Sequence, residues 1–127
     1  MKLTKIMIYY LGQPGSYSFL AAAKYFGNEN HLVGCDLFEE IFNNLKNNMN
    51  AYGIIPIENS LTGSITQNYD LLMKSNCFIV GEIYLKIKHH LLVERKRGIN
   101  LNNLKYCYSH PEALKQCHKF FIKYKHI

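Results

Sequence analysis

Three short apolar runs, each followed by a segment with helical spacing, constrain the first 75 residues most. Lys5 to Leu11 carries Ile6, Met7, Ile8, Tyr9 and Tyr10 and reads as a strand. Gly12-Gln13-Pro14-Gly15 is a turn, and Ser16-Tyr17-Ser18 opens a helix that Ser16 or Ser18 can cap. After the loop Gly27-Asn28-Glu29-Asn30, His31 to Cys35 reads as a second strand. Asp36 with Glu39 fits a capping box. Phe38, Ile41, Phe42, Leu45 and Met49 then recur at helical spacing. Tyr52 to Ile57 predicts a third strand, and a third helix runs from about Ser64 to Lys74. Strand and helix in alternation are the grammar of a mainly parallel sheet with helices on its faces.

The rhythm changes at residue 77. Cys77 to Val80, Glu82 to Ile87 and His89 to Glu94 read as a long extended region, with a bulge or crossing point at Gly81. Glu94-Arg95-Lys96-Arg97-Gly98 is a charged loop, and Leu104 to Tyr108 predicts a further strand. Ser109, with Glu112 three residues on and Pro111 in the first turn, predicts the start of a last helix. Residues 1–76 are therefore expected to form one α/β lobe. Residues 77–127 are expected to form a crossover and the start of a second lobe whose sheet is unfinished.

A chain of 127 residues is long enough for one core, and 48% apolar residues exclude a disordered composition. The net charge of +6 is uneven. Residues 1–80 hold five basic against six acidic side chains, and residues 81–127 hold ten against three. Such a field attracts anions, small dicarboxylates included. The basic residues are scattered and no recognition motif accompanies them, so no nucleic-acid partner is expected. The apolar runs are too short for a membrane span. Four cysteines without a paired spacing, and no secretory leader, imply reduced thiols and a cytoplasmic protein. Cys107-x-x-His110 and Cys117-His118 have metal-like spacing, but they fall on a strand end and a later helix, so no metal is expected. The first turn lacks the third glycine of a dinucleotide fingerprint, which argues against a nicotinamide cofactor.

The stretch Gly53-Ile54-Ile55-Pro56-Ile57-Glu58-Asn59-Ser60-Leu61-Thr62-Gly63-Ser64 concentrates the polar chemistry. A strand ending in a polar turn that feeds a helix is where open α/β sheets place ligands. Asn59 and Ser60 can each donate and accept, and N–H groups at a helix start favour an anion. Gly15 with Ser16 reads similarly, as a backbone cradle for an anionic group. The plain structural reading of both stretches is a surface loop with a helix cap. Glu39 and Glu40 read as first-turn carboxylates helped by the helix dipole.

Pro56-Ile57-Glu58-Asn59-Ser60-x-x-Gly63-Ser64 resembles the signature of the prephenate dehydratase family. Gly12-x-x-Gly15-Ser16-Tyr17-Ser18, Ile87-x-His89-x-Leu91-Leu92 and Tyr108-Ser109-His110-Pro111-x-Ala113-Leu114-x-Gln116-Cys117 match the same family in the same order. The resemblance runs from about Ile6 to the last residue. It implies a two-lobed α/β catalytic domain, similar to periplasmic binding proteins, with the family domain incomplete at the C-terminus. It also implies a cytoplasmic lyase of phenylalanine biosynthesis that converts prephenate to phenylpyruvate without metal or organic cofactor. Catalysis is expected from Asn59, Ser60 and Glu58, and substrate binding from Gly15, Ser16, Ser18, Gly63, Ser64 and His110. The full-length protein is expected to be a homo-oligomer acting on a small-molecule substrate. The family's Thr-Arg-Phe motif, which supplies a key hydroxyl and an anchoring arginine, does not occur here. The 127 residues are therefore expected to have little activity alone. The alternatives are a non-catalytic module that binds small anions, a subunit that needs a partner chain, or an arogenate dehydratase.

Overall fold

In the computed structural model, residues 5–28, 30–94 and 99–127 are described. The chain divides into two compact units, Met1–Lys86 and Ile87–Ile127. Residues 95–98 of the expected charged loop, and Glu29, lie outside the described residues.

The first unit is built on a central strand, β1 (Met7–Leu11), followed by helix α1 (Tyr17–Phe26). Strand β2 (His31–Cys35), helix α2 (Phe38–Asn47) and strand β3 (Ala51–Ile54) come next. β1 pairs in parallel with β2 on one side, from Met7 with His31 to Leu11 with Cys35. It pairs in parallel with β3 on the other, from Met7 with Ala51 to Tyr10 with Ile54. The order is β2-β1-β3. The central strand reads MIYYL with no polar alternation because both of its faces are covered.

Successive side chains of a strand point to opposite faces. Ile8 and Tyr10 pack with Ala22 of α1, alongside Phe19, Phe26, Leu32 and Ile54. Tyr9 packs with Cys35 and with Ile41 of α2, alongside Met7, Leu11, Val33, Phe38 and Leu45. The two helices therefore cover opposite faces of the sheet. Ile8 and Ile41 are fully buried, and each such burial contributes about 1.5–3 kcal/mol. Burial pushes the Cys35 thiol above the usual range. The amide of Asn44 opposes that shift, and the carboxylates of Glu40 and Asp36 add to it. Burial, with Cys35 second, also raises the Tyr10 phenol.

Several local expectations change. Ser16, not Ser18, is the cap of α1. The capping box at Asp36 and Glu39 does not form: Leu37 is the N-cap residue of α2 with no side-chain cap bond, and the Asp36 N–H donates to Glu40 Oε2 at 2.9 Å. The third strand stops at Ile54 rather than Ile57. Beyond it, β4 (Glu58–Asn59) and β5 (Gly63–Ser64) form a small antiparallel hairpin, and helix α3 spans Thr66–Lys74. The helix starts later than Ser64 because Gly63 and Ser64 are held in that ladder.

Residues 77–94, read from the sequence as a long extended region, join no sheet ladder. Phe78, Ile79, Val80 and Tyr84 are largely exposed. At Gly81 an added Cβ would collide with the Tyr25 hydroxyl, so Gly81 marks a close approach to α1 rather than a bulge.

The second unit holds a short 3-10 turn at Leu101–Asn103 and two helices, α4 (Pro111–Gln116) and α5 (His118–Lys123). The expected strand at 104–108 does not form, and the single expected helix is broken at Cys117. Its cap is His110, not Ser109.

Candidate functional site

In a parallel sheet ordered β2-β1-β3, the connection through α1 leads from β1 to one side and the connection through α2 returns to the other. The strand order reverses at β1 and β3, and the crevice beyond their carboxyl ends is where such sheets bind ligands. Two loops emerge there from adjacent strands: Gly12–Ser16 after β1, and the segment leading to the β4–β5 hairpin after β3.

The first loop is tightly tied to the sheet. The Gly12 N–H donates to the Cys35 carbonyl at 2.8 Å, and the Ser16 N–H donates to the Gln13 carbonyl at 3.0 Å. The Ser16 hydroxyl donates to the Leu11 carbonyl and accepts from the Phe19 N–H, both at 3.2 Å. Both donors of Ser16 are thus used inside the loop, where they shape the turn. Gly12 and Gly15 have φ of 88° and 91°, a region that favours glycine. Gly15 is exposed with open space where a Cβ would stand, and Ser18 is half-buried in the first turn of α1. First-turn N–H groups have no intrahelical acceptor and suit an anion.

The second loop is a turn built by Asn59. Its Oδ1 accepts from the N–H of Leu61 at 2.9 Å and of Thr62 at 3.4 Å, an Asx turn. Gly63, at φ 81°, takes the chain out of the turn. Asn59 pairs with Gly63 and Glu58 with Ser64 across the hairpin. With Oδ1 committed, Asn59 keeps its Nδ2 donors. The Ser60 hydroxyl stands at the exposed tip, and Glu58 and Ser64 are exposed on the hairpin arms.

At the base, Asn68 of α3 donates from Nδ2 to the Pro56 carbonyl at 2.8 Å. Sequence reasoning missed this residue. The signal was its position three residues after Ile65 and four before Leu72, on the apolar stripe of its helix.

His110 lies in the second unit. Its Nδ1 accepts from the Glu112 N–H at 3.2 Å, capping a helix of only six residues. His89 is bonded to Gln116 Oε1 at 2.7 Å in the same unit. Among the described residues, no group of three His, Cys, Asp or Glu is placed to hold a metal ion, and no helix is long and apolar enough to cross a membrane.

The first unit is thus a parallel α/β sheet in which two polar loops follow the adjacent strands at the switch point. The sequence model of the family "Prephenate dehydratase" matches residues 8–127. The chain is 41% identical to the bifunctional chorismate mutase/prephenate dehydratase of Buchnera aphidicola from Acyrthosiphon pisum, over 97% of this chain and 32% of that protein. It is 40% identical to the protein of the same description from Escherichia coli K12, over 94% of this chain and 31% of that one. The structure resembles that of prephenate dehydratase from Streptococcus mutans, with a TM-score of 0.51 and 27% identity over 55% of this chain and 37% of that one. The chain belongs to the prephenate dehydratase family, and it spans about a third of the length of the curated relatives it matches.

Proposed function

We propose that this chain supplies one wall of a cytoplasmic prephenate dehydratase site, at the crevice between the β1 and β3 loops. The observation that supports the reading is the β2-β1-β3 order, in which the two loops that carry the family signature follow adjacent strands.

Prephenate carries two carboxylates and a ring hydroxyl. Cleavage of the bond to the ring carboxylate releases carbon dioxide, and its electron pair enters the ring. The hydroxyl takes a proton from solvent water as its bond to the ring breaks, and leaves as water. Aromatisation makes the product a deep sink, so the protein need only grip the carboxylates and assist the departing oxygen. Asn59 Nδ2 and the Ser60 hydroxyl are the donors assigned to that oxygen. The start of α1, with Gly15 and Ser18, receives a carboxylate, while Ser16 holds this turn in shape. Gly63 and Ser64 hold the opposite arm of the hairpin beside the substrate. Glu58 orients the loop with its carboxylate turned to solvent, because a second charge against a dianion is costly. His110, in the stretch 77–127 read as the start of a second lobe, is a further proposed substrate-binding residue.

The motif Thr-Arg-Phe does not occur in these 127 residues. By themselves they are expected to form little or no phenylpyruvate from prephenate near neutral pH. Adding a relative's segment that carries that motif is expected to restore turnover. Full turnover by the 127 residues alone would remove the requirement for a second segment. No turnover in either arm would leave a non-catalytic anion-binding module. Arogenate offered in competition decides which of the two substrates the site takes.

A further inference from the structure

Asn68 is fully buried in α3, a helix otherwise exposed on much of its surface. Its Nδ2 donates to the Pro56 carbonyl at 2.8 Å. One residue on, the Ile57 carbonyl accepts from the Ile65 N–H at 2.9 Å. Two consecutive carbonyls, neither of them in the parallel sheet, are thus held by the start of α3. α3 is itself tied to α2, through Gln67 Nε2 and Glu39 Oε1 at 2.9 Å. The hairpin that carries Glu58, Asn59 and Ser60 begins at the next residue. Asn68 Oδ1 is buried without a hydrogen-bond partner. A leucine would serve packing alone without leaving an unsatisfied acceptor, so what the amide adds at this position is the Pro56 bond.

We infer that Asn68 is a positioning residue: it latches the base of the β4–β5 hairpin and so fixes where Asn59 and Ser60 stand relative to the β1 loop. Its catalytic consequence rests on the dehydratase reading above, whereas the latch itself does not. Donors must be held closely to act on a transition state, and a displacement of about 1 Å costs on the order of a hundredfold.

The test begins with the unaltered chain. Nuclear magnetic resonance should find an Asn68 side-chain N–H exchanging at least tenfold more slowly than those of exposed Asn102, with a contact to Ile57. In Asn68→Asp, which keeps the shape and loses the donor, hydrogen-exchange protection at Ile65 and Leu61 should fall at least tenfold. Protection in α1, at Leu20 and Ala23, should hold. With the Thr-Arg-Phe segment supplied, kcat should fall tenfold or more while KM stays within about threefold.

A fast-exchanging Asn68 amide in the parent would overturn the latch, whether or not the variant folds. Unchanged protection at Ile65 and Leu61 in Asn68→Asp would overturn it too. A slow Asn68 amide and local loss of protection in a protein that does not turn over prephenate would sustain the latch and sink the dehydratase reading instead.

Discussion

Asn59→Asp should lower kcat by about 10²–10³-fold, the cost of about 2.7–4 kcal/mol seen when one donor to a developing oxyanion is removed. The assay is phenylpyruvate formation with the Thr-Arg-Phe segment supplied. The aspartate keeps an oxygen where Oδ1 accepts from Leu61 and Thr62, so the turn survives and Tm should be nearly parental. It also sets a negative charge beside a dianion, so KM should rise. Asn59→Ala loses the donor and the turn together. It should show a comparable fall in kcat and a stability loss of about 1 kcal/mol besides. The kcat loss common to both variants measures the donor, and the difference in Tm measures the turn. Parental kcat in either variant would make Asn59 a turn residue only.

Gly34→Ala should be the most damaging single methyl in the first unit. A Cβ on Gly34 would collide with the backbone carbonyl oxygen of Gly12, and backbone cannot swing aside as a side chain can. The same strand end holds that loop, through the Cys35 carbonyl and the Gly12 N–H at 2.8 Å. Overpacking of this kind costs about 1–3 kcal/mol, and each kcal/mol lowers Tm by about 4–8 °C in a domain near 100 residues. The β1 loop must shift, so prephenate affinity should fall by more than the loss of Tm explains. Gly15→Ala, where the space is open but φ is 91°, should be milder. A parental Tm and affinity in Gly34→Ala would show that the β1 loop is not held by this approach.

The alternation of strand and helix through α2 was legible because packing there follows period. Ile8 and Tyr10 face one helix, Tyr9 faces the other, and the spacing of Phe38, Ile41 and Leu45 gives the helix its buried side. Pairing partners were less legible. Cys77 to Val80 and Leu104 to Tyr108 have the composition of strands, yet a strand exists only where another supplies its hydrogen bonds, and these segments form no ladder. The β4–β5 hairpin was hidden for the opposite reason. Two-residue strands carry no periodicity, and what sets them is the Asn59 side chain reaching two and three residues on. The loop itself could be read as polar and glycine-containing. That Asn59 spends its oxygen on the turn, and that Ser16 spends both donors, needed geometry. Asn68 needed it most, since a single amide on an apolar stripe looks like an exposed residue until its burial is seen.

The most direct measurement is a prephenate titration of the isotope-labelled chain, followed at backbone and side-chain amides. Shifts should concentrate in two stretches distant in sequence, Gly12 to Ser18 and Glu58 to Ser64, with the Asn59 Nδ2 protons among the largest. The amides of β2 and the body of α2 should stay still. Saturable shifts confined instead to the groove lined by Asn102, Asn103, Leu104, Lys105, Tyr106 and His126, or no shifts at millimolar prephenate, would contradict a substrate site at the β1–β3 crevice.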